Sequence, residues 1–208
     1  MPRISPVQPH LAADKATQTF ERLAELFGEA PLPEPFRLYA ACPVFLQDFY
    51  MNFKKYCWGD GKLPARTKAM IGLAVAGNAG CEPWADFFAQ RVKALGGDDQ
   101  TLADIAGVAS ACAMYNTFFK FRELSGSDLF AGLPVGLRAH TFAGTSLDEQ
   151  TVELINVAIS DINGCKPCTA GHVDKARALG LSDEALLEAI QCAATLMAGI
   201  HFLRHAGS

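Results

Sequence analysis

Cys165 and Cys168 stand three residues apart in VELINVAISDINGCKPCTAGHVDKARALG, which spans residues 152–180. His172 follows the second cysteine by four residues, and Glu153 precedes the first by twelve. Two thiols, an imidazole and a carboxylate can ligate a metal, frame a structural disulfide, or move electrons and protons. The spacing alone permits all three. Zinc asks for four ligands, and Cys165, Cys168 and His172 would supply three. No second cysteine pair or histidine pair follows at finger-like spacing, so Cys192, His201 or His205 would have to fold back to complete the set. The CKPC pair is similar to thioredoxin-type sites, but those need a βαβ context that this sequence lacks.

The elements that carry these groups are written twice along the chain. Shifted by 84 residues, positions 63–120 fall on 147–204 without a gap, and 14 of the 58 pairs are identical. Unrelated sequences of this composition would give about four to six. Gly80, Cys81 and Pro83 overlie Gly164, Cys165 and Pro167. Two copies do not make a solenoid, so the expected architecture is a pseudo-two-fold helical domain.

Each copy reads as three helices. Val152, Ile155, Ile159 and Ile162 recur at i, i+3, i+7 and i+10, the stripe of a packed helix. Asn163-Gly164 stops it, and the next helix begins near Cys165 with Pro167 in its first turn. Gly180 ends that helix, and Ser182 reads as the N-cap of a third, with Asp183 and Glu184 placed well against its dipole. Ahead of the repeats, 11–28 and 43–58 read as helices separated by the proline-rich turn EAPLPEPF. No convincing alternating strand is found, and the fold class is all-α. A single domain over 1–208 is expected, with an N-terminal helical extension (1–62), a degenerate repeat (63–123), a connector (124–146) and a catalytic repeat (147–208).

The copies differ where chemistry would sit. Glu153, Cys168 and His172 of the second copy face Ala69, Trp84 and Phe88 of the first. Only the second copy is therefore expected to be reactive, with Trp84 and Phe88 in the core. On one helix, Cys165, Cys168 and His172 lie at i, i+3 and i+7 and share a face. Glu153 lies ten residues before Asn163 and His172 nine after it. If the two helices run back on each other, both sit roughly 13–15 Å from the bend at about 1.5 Å per residue. A Glu153–His172 contact follows.

Such an arrangement suits thiol redox chemistry. A free thiol has a pKa of about 8.5, which a helix N-terminus and a nearby imidazolium lower. A fall of about two units raises the thiolate fraction roughly 25-fold at neutral pH, while nucleophilicity drops about tenfold. Acidification alone thus gains only a few-fold, whereas a placed proton donor contributes ~10²–10⁴. Peroxide reduction uses both: a thiolate attacks the O–O bond, a sulfenic acid forms, and the second thiol condenses with it to a disulfide.

The rest of the chain narrows the setting. With 208 residues it can bury one sizeable core or two small ones. Half the residues are apolar and 19% are charged, as in a folded soluble protein. A net charge of −4 with no basic run argues against nucleic acid or an anionic membrane as the main partner. The first twenty residues lack a signal-like apolar core, and no run of 18 uncharged apolar residues follows, so a cytoplasmic address is expected. There the seven cysteines are expected to be reduced unless catalytic, with Cys42, Cys57, Cys112 and Cys192 as small buried hydrophobes. His201 and His205 read as surface residues favoured by a helix C-terminus.

Glu-x11-Cys-x-x-Cys-x3-His, preceded by INGC at its first cysteine and by AMYNTFFKFREL upstream, resembles the AhpD-like alkylhydroperoxidases of the carboxymuconolactone decarboxylase superfamily. The resemblance covers about 63–204. It implies an all-helical subunit that assembles as a trimer or other homo-oligomer and reduces hydroperoxides without cofactor or metal. By position it makes Cys168 the attacking cysteine, Cys165 the resolving one, and Glu153 with His172 the proton relay. A dithiol, such as a lipoylated protein or another thiol donor, would return the electrons. Pro167 stands where well-known members carry a histidine. Two other readings stay open: the lactone decarboxylase activity of the same superfamily, which needs acid–base groups but no thiols, and a zinc- or redox-sensing binding module.

Overall fold

A computed structural model describes residues 3–28 and 30–207. Ten α-helices and no strand are present among the described residues: α1 (Asp14–Phe27), α2 (Glu34–Tyr39), α3 (Pro43–Phe53), α4 (Ala65–Asn78), α5 (Glu82–Ala94), α6 (Asp99–Leu124), α7 (Thr141–Gly144), α8 (Glu149–Ile162), α9 (Lys166–Ala178) and α10 (Asp183–Ala206). The all-α expectation holds. The duplication is plain in the boundaries, because α8 and α9 begin and end 84 residues after α4 and α5. Gly80 and Gly164 both take φ +65° in the turn between the first and second helices, a conformation that a side chain disfavours.

The caps follow the sequence. Ser182 Oγ accepts from Ala185 N at 3.2 Å, and Asp148 accepts from Thr151 N at 2.8 Å. Asp98 and Thr101 close a capping box on α6. Each such cap is worth about 1 kcal/mol. α8 departs from the amphipathic pattern: every residue from Thr151 to Ser160 is buried. It is a central helix, enclosed by α4, α6, α9 and α10, so its apolar stripe marks only one of several packed faces. α10 is long and apolar enough to cross a membrane, but its length and composition equally suit a core helix, and here it packs against α4, α3 and α8.

The two units embrace reciprocally. Asp104 of α6 accepts from Ser146 N at 2.8 Å and Ser146 Oγ at 2.6 Å, just ahead of α8. Its counterpart, Glu188 of α10, accepts from Lys62 N at 2.6 Å, just ahead of α4. The third helix of each copy thus holds the entry to the first helix of the other. Glu188 also pairs with the fully buried Lys68, whose ammonium donates to Lys55 O at 3.2 Å and Gly59 O at 2.8 Å.

Three sequence expectations are corrected here, and the connector has local structure of its own. The proline-rich turn gives way to helix at Glu34, because Pro35 fits the first turn of α2; Glu29 lies outside the described residues. The predicted 43–58 helix ends at Phe53 and passes into a π-turn over Lys54–Trp58. The connector contains a 3-10 turn at Asp128–Phe130 and the short α7. Cys42 is exposed at the N-cap of α3, whereas Cys57, Cys112 and Cys192 are buried.

Trp84 and Phe88 are fully buried, as expected. Phe36, Tyr39, Phe49 and Phe53 from α2 and α3 pack around Trp84, and Trp84 Nε1 donates to Tyr39 Oη at 2.9 Å. The N-terminal helices therefore cover the face of the first copy that corresponds to the thiol face of the second.

Breaking one partner of a buried ion pair costs about 3–5 kcal/mol. Lys68→Met is expected to lose that much in urea unfolding, and adding Glu188→Leu is expected to recover part of it. Wild-type stability in the single variant would show that the pair does not brace the two units.

Candidate active site

The polypeptide enters α9 through Gly164 and the N-cap Cys165, whose N–H donates to Ser160 O at 2.9 Å. Pro167 occupies the first turn, where its missing N–H is not needed. Cys165 and Cys168 are joined in a disulfide with a Cα–Cα distance of 5.3 Å. The two sulfurs are not equivalent in access. Cys165 is 0% exposed, while Cys168 is 8% exposed and lines an open cleft of about 310 Å³.

Glu153 on α8 is 1% exposed, and both of its oxygens are engaged from α9. His172 Nδ1 lies 2.7 Å from Oε2, and Lys175 Nζ donates to Oε1 at 2.6 Å. The expected Glu153–His172 contact is thus present, with His172 and Cys168 on one cleft wall. An ionised carboxylate only accepts hydrogen bonds, so Nδ1 carries the proton and Nε2 is the nitrogen that can exchange one at the cleft. Burial pushes the Glu153 carboxyl up, but hydrogen bonds and charges from His172 and Lys175 outweigh it and hold the group below the usual carboxylate range.

A polar track continues beyond Glu153 and His172 between α8 and α6. Asn116 Nδ2 donates to Ser160 Oγ at 2.9 Å, Asn163 Nδ2 donates to Asn116 Oδ1 at 3.0 Å, and Cys112 Sγ lies 3.3 Å from Ser160 Oγ. Burial raises the Cys112 thiol against those hydrogen bonds, and the Glu153 charge adds to the rise. A neutral, enclosed thiol is inert.

Three features of the site escaped the sequence reading. Lys175 was not singled out, although it stands one turn beyond His172 on the same face of α9. The outer wall of the cleft is aromatic, built by Tyr115 and Phe119 of α6 and Phe142 of α7. Phe142 meets the His172 ring edge-on at 6.1 Å between centroids. Trp84 and Phe88 line no part of the cleft, being fully buried in the aromatic core where the sequence places them. The available signal was AMYNTFFKFREL, which supplies Tyr115 and Phe119; their place over the thiols depends on the long-range packing of α6.

Among the described residues no three His, Cys, Asp or Glu side chains are arranged to hold a metal ion. Cys192 is buried elsewhere, its Sγ 3.8 Å from Lys68 O, and His201 and His205 are exposed. A second groove of about 330 Å³, lined by Ala74, Gly77, Ala106 and Ala109 among others, contains no ionisable side chain.

The sequence profile of the carboxymuconolactone decarboxylase family matches residues 46–124 and again 129–206, one match for each three-helix unit. An alkyl hydroperoxide reductase AhpD from Anaeromyxobacter sp. (strain Fw109-5) is 30% identical over 163 residues, 78% of this chain and 86% of that protein. The AhpD of Solibacter usitatus is 35% identical over 99 residues, or 48% of this chain and 56% of its own length. That of Corynebacterium kroppenstedtii is 37% identical over 90 residues, with shares of 43% and 51%. The chain spans about half the length of these last two relatives. A crystal structure of a putative gamma-carboxymuconolactone decarboxylase subunit from Burkholderia xenovorans LB400 superimposes with a TM-score of 0.66, covering 92% of this chain and 94% of that one at 16% identity. It shares the fold.

Two measurements probe the site. Thiol titration of the unfolded, unreduced protein is expected to find five free cysteines, rising to seven after reduction; seven at the outset would remove the disulfide. A carboxylate with a depressed folded-state pKa contributes stability above its unfolded value, lost as pH falls through the folded value. Glu153→Gln is therefore expected to destabilise at neutral pH, and its deficit relative to wild type should shrink in acid. A deficit that does not change with pH would contradict charged pairing at Glu153.

Proposed function

Because this chain belongs to the carboxymuconolactone decarboxylase family, we propose that it is a thiol-dependent peroxidase that reduces organic hydroperoxides through a Cys165–Cys168 dithiol/disulfide cycle. The observation that carries this reading is the junction of a cleft-facing disulfide with an imidazole tied to a buried carboxylate. The AhpD relatives support it by name.

In the reduced enzyme, His172 Nε2 takes the Cys168 thiol proton and the thiolate attacks the hydroperoxide. An S–O bond forms, the O–O bond breaks, and the departing alkoxide receives the proton from Nε2 as alcohol. The sulfenic acid on Cys168 then condenses with the Cys165 thiol, releasing water and forming the disulfide. A dithiol donor reduces it and is itself oxidised. The access of each sulfur fits these roles: the attacking one borders the cleft, and the resolving one is enclosed beside it. Tyr115, Phe119 and Phe142 offer an apolar wall to the organic part of the substrate. The first turn of α9 stabilises the Cys168 thiolate, but most acceleration comes from the placed imidazole.

We further propose a cytoplasmic homo-oligomer, supplied with electrons by a lipoylated protein or a similar dithiol. Lactone decarboxylation is the competing reading, since the Glu153–His172 pair in an apolar cleft also suits acid–base chemistry. The thiols separate the two.

With cumene hydroperoxide and dihydrolipoamide, Cys168→Ser is expected to abolish peroxide consumption. Cys165→Ser should leave a sulfenic acid that dimedone labels on Cys168. His172→Ala should slow turnover by ~10²–10⁴, the contribution of a positioned proton donor, while changing the thiol's reactivity toward iodoacetamide far less. Full peroxidase activity in Cys168→Ser, or lactone turnover that survives it, would overturn the thiol cycle.

A further inference from the structure

Lys175 has no part in the cycle above, yet its ammonium takes one of the two oxygens of the buried carboxylate. The site therefore contains a second cation beside the relay. Glu153 is 1% exposed, so its charge is desolvated and felt strongly by its neighbours. The side chain of Lys175 is 59% exposed and remains largely hydrated. This is not an ordinary surface ion pair, because one partner lies in the core and would otherwise have an unpaired oxygen.

The surroundings leave Lys175 little competition. From α9, His172 and Lys175 face Glu153; from α6, the Cys112 thiol feels its charge without contacting it. Asp104 of α6 is engaged by Ser146, and the core charges of α4 and α10, Lys68 and Glu188, pair with each other. Among the described residues, with Lys175 removed, the only cation able to balance Glu153 would be a protonated His172. A proton held there for charge balance leaves Nε2 unable to accept another from the Cys168 thiol.

We propose that Lys175 is a positioning residue that neutralises Glu153 so that His172 can change its protonation state during turnover. With Lys175 present, the carboxylate and ammonium cancel and a neutral imidazole leaves no buried charge uncompensated. As the relay loads and unloads its proton, the triad alternates between neutral and singly positive. Without Lys175, it would alternate between an unpaired buried anion and a locked ion pair. The electrostatics stand independently of the reaction; the effect on turnover rests on the peroxidase reading.

The test combines a ¹³C NMR titration of the Glu153 carboxyl with pH profiles of hydroperoxide turnover for wild type, Lys175→Met, Lys175→Gln and Lys175→Arg. Removing the cation disfavours the charged carboxylate, so Glu153 in Lys175→Met and Lys175→Gln is expected to titrate at higher pH. The acid limb of kcat should move up with it. Near neutral pH kcat should fall to about a tenth, a fraction of the ~10²–10⁴ supplied by a placed proton donor, with KM unchanged. Lys175→Arg should restore both the titration and the profile. A wild-type titration in the Met and Gln variants, or a profile lowered uniformly without a shift, would overturn the proposal. Should wild type show no Cys168-dependent peroxide consumption, the peroxidase reading fails, while the carboxyl titration still decides the role of Lys175.

Discussion

An ionised carboxylate in the middle of a fully buried helix is the constraint around which this repeat is arranged. Glu153 sits among ten consecutive buried residues of α8, where an unpaired charge would cost several kcal/mol. Its partners must come from an adjacent element, and α9 supplies both, His172 and Lys175, one turn apart. That demand sets the register of α9 against α8. Once the register is set, Cys168 comes to the cleft wall that His172 lines one turn further on, with Cys165 enclosed beside it in the disulfide. The disulfide and the Glu153–His172 pair are thus positioned by one electrostatic requirement rather than by separate devices.

The first repeat shows what the same scaffold does when the charge is absent. Ala69 replaces the carboxylate, and Trp84 and Phe88 stand at the positions of Cys168 and His172. With nothing polar to keep wet, that face is free to be buried, and α2 and α3 bury it under a cluster of rings. Gly72 belongs to the same solution: a Cβ there would lie 2.7 Å from the Phe88 ring, so the ring packs directly against α4. In the second repeat the corresponding residue is Asn156, and the corresponding face is an open cleft. One copy has become the core's anchor, and the other keeps the solvent access that the proposed turnover needs.

Much of this was legible in the sequence, for reasons that are physical. The 84-residue shift carried the helix boundaries because the turn glycines and caps are local signals that recur in both copies. The Glu153–His172 contact followed from counting residues to a shared bend, since helical rise is nearly constant. What stayed hidden depended on partners distant in sequence. Lys175 reads as one more surface lysine until the burial of Glu153 is known. Cys42 looked like a buried hydrophobe because its neighbours are apolar, yet it falls at an exposed helix N-cap. The aromatic wall needed α6 and the connector helix α7 to converge on α9, and no periodicity within either segment announces that convergence.

By the AhpD-like resemblance, Pro167 stands where well-known members carry a histidine, and its effect can be argued from the site. Proline at the second position of α9 has no N–H to offer, so the helix start has one donor fewer for a thiolate, and no second imidazole borders the sulfurs there. Proton traffic on the proposed cycle must then pass through His172 alone, on the side of the cleft where Glu153 and Lys175 are found. A relay with a single imidazole cannot divide its duties between a group that stabilises the thiolate and a group that protonates the leaving oxygen. The same nitrogen must be empty before attack and loaded during it. Such a nitrogen works only if its neighbours compensate charge in both states, and the pairing of one buried carboxylate with one hydrated ammonium provides that balance.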